Sequence, residues 1–595
     1  MPSNALPDVP RHLRRFVVAQ DGAQYNAVDQ AVWRFVLLQM HARLAESAHP
    51  VYRDGLGATG ISVDRIPDIA EMNDKLGRFG WGAVCVDGFI PPRAFQEFQA
   101  CGILPIAAEI RTREHLPYTP APDVIHEAAG HAPILPDPVF ASYVRRIGVA
   151  GAKAFTLPDE DAVFGAVHAL SEIKEDPAAS TDDIARAERA LKAAIAAVPE
   201  ISEAALLSRL YWWTAEYGLS GTVDDYKIYG AGLLSSLGES HSCHAAAVRK
   251  LVLDESCVDV AYDITRPQPQ LFITPSFEAL HDVLDRVVRV CQIGAGGAIG
   301  LRRAVASREL ASVGFSSGGW TTGVLADVGP QLSAPAWLAF TGPVAFAWEG
   351  SIRPQQEPLR QTWTDAEPLV VLAGRLADGH ALERLTDSDL AGYRDAGTGR
   401  HRLAFERGAR VEGWLERTAR DRDGRLMHLE LVEARLVLPG RPPRSLERYV
   451  VFAAGDVTAV QAGAVDPLFH PDTTYPSTRV PRPKSLPARD QRLVALFTGA
   501  ERAAREGDPA LLVRHFADLH RELVRDYPEE WLLRWNLLES LLEARDPGDD
   551  GHDAEERALV QALGAELQHL EDALDRRQPI ASGLRYLRAG RAHRR

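Results

Sequence analysis

Residues 470–487, His-Pro-Asp-Thr-Thr-Tyr-Pro-Ser-Thr-Arg-Val-Pro-Arg-Pro-Lys-Ser-Leu-Pro, place five prolines in eighteen positions. Proline has no amide proton to give a helix interior or a central strand, so neither can run through this stretch. The chain of 595 residues is therefore cut ahead of its last segment, 488–595. A second change of character falls near residue 301. Upstream, apolar residues recur at helical spacing, as in Ile184, Leu191, Ile195 and Val198 after a capping pair, Ser180 and Asp183. The run 201–220 reads as a further helix with Ala205, Leu206, Leu210 and Trp213 on one face, and Ala83 to Val86 as a short strand. Downstream, glycine-rich turns separate short alternating runs. The runs 410–417 and 425–432 flank Asp421-Arg-Asp-Gly424, which predicts a hairpin.

The expected architecture is a mainly α domain over 1–300, a small antiparallel β domain over 301–469, a proline-rich linker over 470–487 and a C-terminal helical domain over 488–595. Leu493, Leu496 and Phe497 mark one C-terminal helix, and 531–542 and 559–574 two more. The basic tail 585–595 is expected to fray.

Charge and cysteines narrow the function classes. The balance of 66 basic and 81 acidic residues gives a net charge of −15, which disfavours nucleic acid as a general partner. Cys85, Cys101, Cys243, Cys257 and Cys291 are odd in number and form no CxxC pair, so reduced thiols in a cytoplasm are expected. No apolar core follows Arg11, Arg14 and Arg15, and no apolar stretch has bilayer length. The expectation is a soluble, intracellular protein without a membrane partner.

The chemistry concentrates in Pro122-Asp-Val-Ile-His126-Glu127-Ala-Ala-Gly-His131. In zinc proteases of the HExxH type the histidines are four apart, about 40° around a helix; five apart is about 140° at roughly 100° per residue. An α-helix would not bring His126 and His131 together unless Gly130 and Pro133 end it and turn the second imidazole back. Two imidazoles plus one carboxylate form the open face of non-haem Fe(II) oxygenases. Glu216, in Tyr211-Trp-Trp-Thr-Ala-Glu216-Tyr-Gly-Leu, is the candidate third ligand, because a buried carboxylate among aromatics needs a partner. The plainer alternative puts Glu216 on a solvent-facing stripe. A Zn-dependent hydrolase also stays open at this point, since helix-borne histidines bind zinc.

Three stretches in order, 110–133 around the His motif, Tyr211 to Leu219, and Lys227-Ile-Tyr-Gly-Ala-Gly-Leu-Leu-Ser-Ser-Leu-Gly-Glu239, resemble the pterin-dependent aromatic amino acid hydroxylases, in particular the long bacterial phenylalanine 4-monooxygenase-like form. The resemblance spans about residues 81–289. It implies a catalytic domain of that family's type, with His126, His131 and Glu216 as iron ligands. It further implies that Arg111 holds the substrate carboxylate, with Thr119 beside it. Trp212 and Ser235 would line the amino acid pocket, and Phe95 and Glu127 would adjoin the pterin. Glu127 would also orient a water or the pterin during catalysis. The implied reaction is ring hydroxylation of an aromatic amino acid, L-phenylalanine to L-tyrosine first, using Fe(II), tetrahydropterin and O₂. An inactive binding or regulatory protein on the same fold is a further alternative.

Three departures stand out. An inserted pair of helices is expected within 149–210, Pro91 and Pro92 stand near the pterin where animal members carry hydroxyl side chains, and Pro105 replaces a histidine. Two other motifs are set aside. Gly294-Ala-Gly-Gly-Ala-Ile-Gly300 misses the third glycine of a dinucleotide loop and is expected to be a flexible junction. His241 and His244 are expected at a solvated helix end.

Overall fold

The first long helix, Ala27–Ser47, starts at a capping box in which Asn26 accepts the Val28 and Asp29 amides and Asp29 accepts that of Asn26. It is buried on nearly every side, through Val32, Trp33, Phe35, Val36, Leu37, Met40 and Leu44, as suits a helix that other elements surround. The computed structural model describes residues 8–20, 22, 25–88, 90–116, 122–175, 179–262, 264, 267–348, 359–362, 369–465, 488–506, 509–544, 554–574 and 579–589. The described chain is about half helical, with several antiparallel sheets. None of its helices is long and apolar enough to cross a membrane.

Up to about residue 292, helices enclose two small sheets. Strands Gly82–Val86 and Ile103–Ala107 run parallel, joined by helix Pro92–Ala100. Pro91 and Pro92 sit at the start of that helix, where a missing amide costs nothing. The second sheet has the order Tyr226–Ile228, Leu219–Gly221, Gln270–Thr274, Arg249–Val252.

The expected helix over 201–220 is shorter. Helix Glu203–Tyr211 passes into a wide turn at Trp212–Glu216, and Leu219–Gly221 is already a strand. Gly218 stands between turn and strand, where a Cβ would lie 2.3 Å from the Thr214 carbonyl oxygen. Its buried face is Leu207, Leu210 and Tyr211, while Ala205 and Leu206 are only half-buried. Helices Pro158–Glu175 and Thr181–Ala197 pair off within the expected insertion, the second started by the Ser180–Asp183 box.

The junction expected at 294–300 runs into a helix. Helix Gly297–Ser307 begins there, and a Cβ on Gly300 would stand 2.8 Å from Val460. Beyond it lie a six-stranded sheet and a four-stranded meander of His401–Ala404, Arg410–Arg420, Leu426–Val437 and Arg444–Phe452. All strand pairs here are antiparallel, and the hairpin turns at 421–425 as expected. The last strand, Val457–Ala462, returns to pair with Leu310–Phe315. The proline-rich segment 470–487 lies outside the described residues.

Five C-terminal helices are described, two more than the pattern suggested: Ala488–Glu506, Pro509–Asp526, Trp531–Ala544, Ala554–Ala573 and Ile580–Arg588. The first part of the expected frayed tail is helical instead, and Leu584 and Leu587 bury its inner face. These helices share one apolar core with the first 292 residues. Phe35 meets Trp531 and Trp535 edge-on, with centroids 5.1 and 4.8 Å apart. Gly583 allows the last helix to close on that pair, for a Cβ there would fall 2.8 Å from the Phe35 ring.

Candidate metal centre

His126 and His131 lie on Ile125–His131, which is wound as a π-helix. Its i→i+5 bonding makes a wider turn, so residues five apart stand over one another. The expected device, a helix end that turns His131 back, is thus replaced by a change of helix type. The turn packs tightly, and a Cβ on Gly130 would come 2.8 Å from the Ala231 carbonyl oxygen. Trp212–Glu216 is a second π turn and presents Glu216 to the first.

Glu216 is 9% exposed, which removes the solvent-stripe alternative. Its two oxygens lie 3.1 Å from His126 Nε2 and 3.1 Å from His131 Nε2. The three ligand atoms fall within 4.8 Å of one another, the only such group of His, Cys, Asp or Glu among the described residues. His131 Nε2 is buried, and despite its distance from Glu216 it makes no hydrogen bond of acceptable direction. Nitrogen lone pairs converging on carboxylate oxygens are what a cation site offers, and the donor set N, N, O suits iron. Burial would raise the Glu216 carboxyl, but the His131 and His126 imidazoles outweigh it and hold the group well below the usual carboxylate range.

The imidazole of His126 is fixed from behind. Ser235 Oγ donates its single proton to the Ala231 carbonyl at 2.8 Å, so toward His126 Nδ1, 3.1 Å away, it accepts. That places the ring proton on Nδ1 and leaves the Nε2 lone pair facing Glu216.

Arg111 is 2% exposed and is not the surface ion-pair residue that arginine usually is. Its Nε and Nη2 donate to the two oxygens of Asp123 at 2.7 and 2.8 Å, and its Nη1 donates to the Ser235 carbonyl at 3.0 Å. Three of the five guanidinium protons are thus used, and two remain. Asp123 also accepts the His126 amide at 2.9 Å, tying Arg111 to the metal turn. Sequence reasoning overlooked Asp123, although an aspartate three residues before His126 is the signature of a cap.

The remaining candidates ring this centre. Glu127 Oε2 lies 3.9 Å from His131 Nε2 and is buried without a hydrogen-bond partner. Burial pushes its carboxyl up to about 8, with His131 opposing and Glu216 reinforcing. Phe95 meets Tyr211 edge-on at 5.8 Å, and Tyr211 lies 6.3 Å from the His131 ring. Trp212 is sandwiched between Tyr217 at 4.7 Å and Tyr262 at 4.2 Å, partners the sequence did not single out. Thr119 falls outside the described residues. His241 and His244 are exposed, and His244 stacks on Tyr226.

The sequence model of the biopterin-dependent aromatic amino acid hydroxylases matches residues 20–161 and 187–292. Phenylalanine-4-hydroxylase of Mesorhizobium japonicum is 30% identical over 271 residues, covering 45% of this chain and 82% of that protein. The enzyme of the same name from Chromobacterium violaceum is 31% identical over 270 residues, 45% of this chain and 76% of that one. This chain belongs to that hydroxylase family. A crystal structure of the C. violaceum enzyme, with iron(III) and 7,8-dihydrobiopterin bound, aligns at 27% identity and a TM-score of 0.37, covering 48% of this chain and 93% of that one. Within this hydroxylase, the gap in the match at 162–186 falls on the paired helices Pro158–Glu175 and Thr181–Ala197. The hydroxylase match stops at residue 292, ahead of the β-rich and C-terminal helical regions.

Proposed function

We propose that this protein hydroxylates the ring of an aromatic amino acid, converting L-phenylalanine to L-tyrosine, with His126, His131 and Glu216 holding one iron(II) ion. The observation that carries the reading is the convergence of these three buried groups in a chain of this family. O₂ and a tetrahydropterin are the co-substrates: the pterin supplies two electrons, one oxygen atom enters the ring and the other goes to the pterin. Bound iron supplies the O₂ chemistry, and the protein positions the reactants and excludes water.

The roles of the surrounding residues follow from what each can offer. Arg111, oriented by Asp123, turns its two uncommitted N–H groups to the substrate carboxylate. Thr119, eight residues further along the chain, is the further substrate contact in this reading. Trp212, its faces stacked on Tyr217 and Tyr262, lines the amino acid pocket with its edge, and Ser235 keeps the His126 tautomer while lining the same side. Phe95 provides a face for the pterin. Glu127, buried beside His131, can orient the pterin or a water through a hydrogen bond. The catalytic domain in this reading is 1–300. The β domain at 301–469 and the helical domain at 488–595, joined by 470–487, follow it in the chain.

Anaerobic loading with Fe(II), then a product assay with phenylalanine, tyrosine and tryptophan plus tetrahydropterin, tests the reading. Tyrosine formation with matching O₂ uptake is expected. A protein that takes up only zinc and consumes no O₂ would overturn it in favour of a hydrolase.

A further inference from the structure

The C-terminal helices reach the amino acid side of the site. Glu530 stands at the start of helix Trp531–Ala544, and one carboxylate oxygen accepts the Leu532 and Leu533 amides at 3.0 and 3.2 Å. The other oxygen accepts a hydrogen bond from the guanidinium of Arg113. The Glu530 side chain is 4% exposed, so its charge is matched by the helix N-terminus and by arginine, with little help from water. Arg113 opens a single helical turn, Arg113–His115, two residues after Arg111.

A second tie lies behind Ser235. Arg43 donates to the Leu237 carbonyl and to Ser240 Oγ on one side, and to Ser582 Oγ of the last helix at 3.2 Å on the other. The two backbone stretches that carry Arg111 and Ser235 are thus both backed by the last hundred residues. The opposite flank is tied elsewhere. Arg93, on the helix of Phe95, pairs with Glu309 at 3.1 Å, at the edge of the β-rich region.

We propose that the C-terminal helices are a positioning element for the amino acid half of the site, with Glu530 acting through Arg113 on the segment that carries Arg111. The inference rests on the hydroxylase reading above and extends it to a region that the family match does not reach. Holding Arg113 limits the freedom of residues 111–116, and the grip on the substrate carboxylate depends on that placement. The three metal-facing groups sit on other elements and meet Arg111 only through Asp123 and Ser235.

The test uses the full-length, iron-loaded protein. Glu530→Gln keeps an oxygen for the Leu532 and Leu533 amides and loses the charge that holds Arg113. It is expected to raise KM for phenylalanine about ten-fold, with kcat, the KM for tetrahydropterin and the iron content each within about two-fold of the parent. Arg113→Ala is expected to give the same shift, the double variant no more than either single one, and Arg113→Lys a partial return. Amide exchange over 109–116 should quicken in Glu530→Gln. Unchanged KM and unchanged exchange would overturn the proposal. So would an equal rise in phenylalanine KM from Glu309→Gln, which would mark general loosening. If the parent protein forms no hydroxylated product from any aromatic amino acid, the hydroxylase reading fails, while the exchange measurement still decides whether Glu530 holds the Arg111 segment.

Discussion

Ser235 accepts the Nδ1 proton of His126 at 3.1 Å because its own proton is committed to the Ala231 carbonyl. Groups that orient a ligating imidazole in this way typically account for about 10–100-fold in metal affinity. Ser235→Ala should therefore weaken iron binding by that order, read as the apparent Kd in an anaerobic Fe(II) titration. Turnover should recover substantially at saturating iron.

Glu216 is the single carboxylate of the proposed iron site, and its removal leaves two imidazoles. Glu216→Ala is expected to lose bound iron and turnover together, measured as iron per chain and tyrosine formed. Retained activity would exclude it as an essential ligand.

Asp123 and Arg111 form a buried ion pair, so the proposed substrate contact also carries structure. Burial pushes the Asp123 carboxyl up, but the charge and hydrogen bonds of Arg111 outweigh that and hold it below the usual range. Its stabilising contribution is therefore present above the unfolded carboxylate value and lost only as pH falls through the lowered one. Arg111→Ala leaves that carboxylate buried with its backbone amides but without a countercharge, at about 3–5 kcal/mol. Arg111→Lys keeps the charge but cannot span both oxygens. Urea unfolding should rank parent, then Lys, then Ala, and both variants should raise the phenylalanine KM.

Glu239 is buried and accepts a hydrogen bond from Tyr217 at 2.8 Å. Burial pushes its carboxyl up to about 7, with the Tyr217 bond opposing. A folded value above the unfolded one means that the unfolded chain gives up this proton first. Stability on this account falls as pH rises from about 4.5 to about 7 and is level above, by something on the order of 3 kcal/mol. Glu239→Gln keeps an acceptor for Tyr217 and should flatten that part of a stability-against-pH curve.

The fold was legible where one stretch of sequence decides it. The Ser180–Asp183 box and the turn at 421–424 need only neighbours a few residues away, and both appear as read. The site was legible as a set of residue types, but its geometry was not. A spacing of five between His126 and His131 does not announce a π turn, because that winding is fixed by packing such as Gly130 against Ala231. Asp123 escaped notice because its partner, Arg111, lies twelve residues back along the chain. The docking of Trp531 and Trp535 on Phe35 was hidden for the same reason on a larger scale: an apolar face states that it will be covered, not by what.

The helix Ala27–Ser47 is enclosed by elements drawn from both ends of the chain, with Arg34 paired to Glu539 and Gln39 bonded to Ser582. During synthesis, its flank around Phe35 has no cover until the closing stretch leaves the ribosome. A message cut short within the proline-rich segment would thus yield a protein with every proposed iron ligand and a sticky, half-dressed helix, a substrate for chaperones and proteases before it is an oxygenase.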